Sequence, residues 1–119
     1  MAVTHATATR NGIADYVVDQ LDGGTLKIVT SGDVEVATLT FGTPAFGAAS
    51  SGVATANAIT SDTSATGGTA AKAELVTSGA TSIVFCAVGT SGSDINLSSL
   101  SIGAGDTVSI SSLTYTAPL

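Results

Sequence analysis

The sequence predicts an all-β protein, mainly an antiparallel β-sandwich of jelly-roll type, with one short N-terminal helix. Three observations carry this expectation. A single segment, before residue 24, repeats its apolar residues with a helical period. After it, apolar residues recur with a period of two in seven or so short runs. Turns rich in Gly, Ser and Asp separate those runs. The 119 residues suit one domain, residues 9–119, preceded by an extended arm over residues 1–8.

The arm is small, polar and unpatterned, and Val3 is its sizeable aliphatic side chain. The helix is expected over residues 10–22, where Ile13, Val17 and Leu21 recur at i, i+4 and i+8. Thr9 or Asn11 can cap its start, and Gly23-Gly24 ends it. The first strand is 25–30. The second, 34–41, changes phase from Val34/Val36 to Leu39/Phe41, so a bulge is expected within it. Residues 42–52 form a loop carrying Pro44 and Phe46. A strand over 53–59 would set Val53, Thr55, Asn57 and Ile59 opposite three alanines.

After a polar loop at 60–68, residues 69–76 alternate cleanly. Ala71, Ala73 and Leu75 face inward, and Lys72 and Glu74 face outward. Residues 82–88, Ser-Ile-Val-Phe-Cys-Ala-Val, are apolar on both faces, which predicts a central strand covered on two sides. The pairs Ile95/Leu97 and Leu100/Ile102 are short strands. The last, 107–117, changes phase at Ser111-Ser112, the expected site of a second bulge.

Composition bounds the function. Ile, Leu, Val, Phe, Tyr and Met total 32, Trp is absent, and much of the 44% apolar content is Ala. Each large side chain stabilises by roughly 1.5–3 kcal/mol when buried, whereas ordering one residue's backbone costs about 1–2 kcal/mol. So poor a core predicts a marginal monomer that gains stability by self-association into a homo-oligomer. Mean hydropathy is +0.48, too high for a disordered chain. Only 10% of residues are charged, and Ser and Thr number 34, a surface suited to packing against other protein.

The net charge is −6, and Arg10, Lys27 and Lys72 are the basic residues. Nucleic acid and anionic membranes require clustered cations, so neither is an expected partner. The first residues lack the basic and apolar regions of a secretory signal, so synthesis in a cytoplasm is expected.

No constellation points to catalysis, a cofactor or a metal. His5 is the single histidine and lies in the arm, and a general base there would need a fixed partner. Cys86 is the single cysteine and lies in the most apolar strand, so it reads as a structural thiol. Asp15, Asp19 and Asp22 share one helix face and read as solvated, and Asp62, Asp94 and Asp106 lie in separate turns.

Three stretches carry a family resemblance: ATRNGIADYVVDQLDGG at 8–24, ATLTFGTPAFGAASSGVATANAITSDTSATGGTA at 37–70, and SGSDINLSSLSIGAGDTVSISSLTYTAP at 91–118. The Pro-Ala-Phe-Gly-Ala-Ala loop and the closing I-x-A-G-x-T-V-S-I strand stand out. Together they resemble a family of small structural proteins encoded among the head and tail genes of tailed phages and prophages. Its motifs are packing and turn motifs, and residues 71–88 match it least.

The resemblance implies a non-enzymatic virion protein, first a capsid decoration (cement) protein that binds the major capsid protein. A tail component is the alternative, and a β-sandwich adhesin or surface-layer module is a further one. Val3, His5, Pro44 and Phe46 are the candidate interface residues, on the arm and the 42–52 loop. Phe46 anchors a partner if it points outward, and joins the core if it folds back.

Overall fold

The computed structural model describes residues 4–110 and 112–117. It is mostly β, with one helix at the N-terminal end and an antiparallel-rich curled sheet. The elements are α1 (Thr7–Asp19), β1 (Thr25–Val29), β2 (Glu35–Thr40), β3 (Val53–Thr55), β4 (Gly68–Thr69), β5 (Lys72–Val76), β6 (Ser82–Gly89), β7 (Ile95–Asn96), β8 (Ser101–Ile102) and β9 (Thr114–Thr116).

Five strands form one sheet in the order β2-β1-β5-β6-β7. All its pairs are antiparallel except β6-β7. The remaining strands make two ribbons, β3-β9 and β4-β8. The layer opposite the main sheet is therefore built from ribbons, loops and the helix, in place of the second complete sheet expected of a sandwich.

Register explains which residues build the core. Leu39, Leu26, Leu75 and Val84 lie in one row across the sheet, and Ala37, Ile28, Ala73 and Cys86 lie in the next. Strand side chains alternate between faces, so these rows share the inner face. They meet Ala14, Val18 and Leu21 of the helical segment, together with Phe41, Phe46, Ala54, Ile95 and Leu113. The outer face carries the intervening row, Thr38, Lys27, Glu74 and Phe85.

The helix lies three residues earlier than its apolar spacing suggested. Its N-cap is Ala6, with no side-chain cap, so neither Thr9 nor Asn11 has that role. The buried stripe is Ala14, Val18 and Leu21, with Ile13 and Val17 half-buried beside it. Gly23 closes the segment at φ +70°, the left-handed conformation that glycine adopts without a Cβ clash. A Cβ on Gly24 would meet the Val76 carbonyl, so the chain enters β1 hard against β5.

The expected bulge in the first hairpin is present. Pairing shifts between Ile28 and Val29, and Val36 and Ala37 are both buried. At the other phase change the chain moves between partners. Val108 bridges Asp62, whereas Thr114–Thr116 pair with Val53–Thr55. Ser111, placed at that expected bulge, lies outside the described residues. The 69–76 run is also divided. β4 ends at Thr69 and β5 begins at Lys72, and they are linked by Ala70, which is buried, and Ala71, which is half-buried. The strand expected over 53–59 ends at Thr55, with Ala54 fully buried, Ala56 half-buried and Ala58 exposed.

Candidate functional site

Of the four candidate interface residues, Val3 lies outside the described residues. His5 is exposed, two residues before α1. Pro44 is exposed, follows a cis peptide bond to Thr43, and its carbonyl accepts from Asn57 Nδ2 at 3.1 Å. Phe46 requires a correction. It is 4% exposed, and its ring packs against Phe41 with centroids 5.8 Å apart. The loop turns this aromatic into the chain's own core because burying so large an apolar surface outweighs ordering the loop.

The helix holds that loop down. Asp22 accepts from the Ala45 amide at 2.7 Å, Asp15 from the Ala49 amide at 2.8 Å, and Asn11 from the Gly52 amide at 2.8 Å. Arg10 donates to the carbonyls of Ser51 and Ala117. The acids read as a solvated face are thus divided. Asp15 and Asp22 bind loop amides, and Asp19 is exposed. Asp62 and Asp106 cap their own turns through the amides of Ser64 and Gly103, as Asp residues in turns commonly do. Glu35 accepts hydroxyls from Thr66 at 2.6 Å and Thr38 at 2.7 Å, and these bonds hold its pKa below the ordinary value.

The surface feature that sequence reasoning missed is β6. Expected to be covered on both faces, it is covered on one. Phe85, at its centre, is 71% exposed on the outer face beside Glu74. Its neighbours Val84 and Cys86 pack against the core. Burial pushes the Cys86 thiol up to about 11, with Asp94 adding to the shift, so at neutral pH it stays protonated and weakly nucleophilic. A signal for the open face existed in the sequence. A strand pairing with the outward-facing Lys72 and Glu74 must set one alternate set of its own residues on that same face.

The edge of β6 away from β5 is open along most of its length. β7 pairs only with Val88 and Gly89. The Ala87 amide points to this edge, where the Asp94 carboxylate accepts it at 2.9 Å. Antiparallel alternation puts the Phe85 amide on the same side. Beyond the edge runs a groove of about 420 Å³. Val84, Phe85 and Cys86 form one wall, and Thr114, Tyr115 and Thr116 form the other, with Ser93 and Asp94 also lining it. Three consecutive residues on each wall mean that both strands present their backbone edges to the groove, since a strand seen face-on presents alternate residues.

Neither a family model, nor a curated protein, nor a solved structure matches this chain.

Proposed function

We propose that the protein is a non-enzymatic structural component of a tailed-phage particle, a decoration protein that docks on the outside of the head shell. The observation that carries the docking part is the exposed Phe85 at the centre of the chain's most apolar strand. An aromatic side chain set on a rigid strand loses little entropy on contact and suits the middle of a protein interface. The low-charge surface, rich in Ser, Thr, Ala and Gly, supports the same reading. The phage context rests on the sequence resemblance, and the major capsid protein is the partner it implies. With Phe46 in the core, the outer face of β5 and β6 takes over the anchoring role first given to the 42–52 loop.

Quantitative mass spectrometry of particles purified from a host carrying this gene tests the reading. A decoration protein is present in proportion to the major capsid protein, whereas a tail component is present in a few copies. Absence from washed particles overturns the proposal. Phe85→Asp should leave folding intact and release the protein from shells at moderate salt.

A further inference from the structure

We propose that the groove between β6 and β9 receives the N-terminal arm of a second copy of this chain as an added β-strand. The inference deepens the docking role above by naming a partner. It concerns the backbone edge of β6, whereas particle docking concerns the outer side-chain face.

Four observations meet at the groove. Its walls are the open backbone edges of two strands that belong to different sheets. An inserted strand would bond to both and join the five-stranded sheet to the β3-β9 ribbon. The Ala87 amide already turns to that side and takes a carboxylate oxygen from Asp94, a place that a neighbouring strand's carbonyl can fill. Charge also favours the arm. Asp94 is the charged residue among those lining the groove. Residues 1–6, ahead of the helix, contain no Asp or Glu, in a chain of net charge −6. The arm therefore brings no like charge to Asp94. Finally, the length fits. Six residues ahead of the helix reach about 20 Å when extended, enough to lie along residues 82–87. Ala2, Thr4 and Ala6 are small enough for a channel between two strands.

The donor is assigned to a second copy because residues 4–6 of the chain's own arm are exposed and belong to no strand. Exchange of a terminal segment between copies is an economical route to an oligomer, and it stabilises a chain with few large core residues by mass action.

The test uses the purified full chain without particles, so its outcome is independent of phage binding. Light scattering across a concentration series should give a mass of at least two chains. Amide exchange over 82–87 and 113–117 should slow as concentration rises. Deleting residues 2–5 keeps Ala6, whose carbonyl accepts from the Arg10 amide. This deletion should give a monomer with the same circular dichroism and fast exchange at the groove. His5→Pro keeps the arm's length but removes one donor from a strand that would be flanked on both sides. It should raise the midpoint concentration of assembly by roughly tenfold, the loss of about one hydrogen bond.

A full chain that stays monomeric overturns the proposal, as does a deletion variant that assembles as well as the full chain. Groove protection that depends on the arm but not on concentration also overturns it, because the occupant is then the chain's own arm.

Discussion

Phe46 and Phe85 are the same residue type with opposite environments, and substitution should separate them. Phe46→Ala removes a ring packed on Phe41 and leaves a cavity, so unfolding free energy should fall by about 3–5 kcal/mol. Phe85→Ala removes a ring that is 71% exposed, and stability should change by no more than about 0.5 kcal/mol. Urea titration of both variants checks the pair, and equal losses would refute the assignment of Phe46 to the core. Cys86 gives a pH signature. Its folded pKa, about 11, lies above its ordinary value of 9.0. The unfolded chain therefore loses the thiol proton first as pH rises. Stability conferred by this group is intact below pH 9.0 and declines through the interval up to about 11. Cys86→Ser should flatten that decline in thermal scans between those limits.

Among the elements, α1 and the 42–52 loop act as one unit. Asp22→Ala leaves the Ala45 amide without its acceptor and should lower stability by about 1–2 kcal/mol. Asp19→Ala, at an exposed position, should change little. Denaturant midpoints of the two variants distinguish a lacing carboxylate from a solvated one. This lacing was not legible in the sequence, because helix periodicity shows which residues share a face but not what the face meets. The strands were more legible. Lys72 to Val76 and Thr25 to Val29 alternate with one face buried, so their register is fixed by pattern alone. The phase changes marked both irregular places. Whether each was a bulge or an exchange of partner depended on long-range pairing. The helix start was misplaced because Thr9 and Asn11 look like caps, whereas Asn11 is drawn to the Gly52 amide.

For the whole molecule, the class was legible and the arrangement was not. A helix followed by period-two runs gives a β protein. The division into one five-stranded sheet and two ribbons depends on where short runs such as Gly68–Thr69 and Ser101–Ile102 find partners. Of the candidate surface, the apolar character of 82–88 was evident, but its half-open state was not. Periodicity cannot distinguish a buried strand from an exposed one that waits for a neighbour.

The pinned 42–52 loop also decides where the molecule can carry cargo. A long Gly/Ser/Pro loop is ordinarily the first choice for splicing in a foreign peptide. Here its amides at Ala45, Ala49 and Gly52 are bound by side chains of the helix and of the turn that follows it, and Phe46 is its plug into the interior. The turn between β5 and β6 is different. Ser78, Gly79 and Ala80 are exposed, and the turn is closed by bonds between Thr77 and its own neighbours. An epitope of ten or so residues spliced after Gly79 should leave cooperative unfolding in place, because lengthening a surface turn adds only about 1 kcal/mol of closure entropy. The same epitope spliced after Gly47 should abolish it. Antibody capture of natively folded protein would then succeed for the first display site and fail for the second.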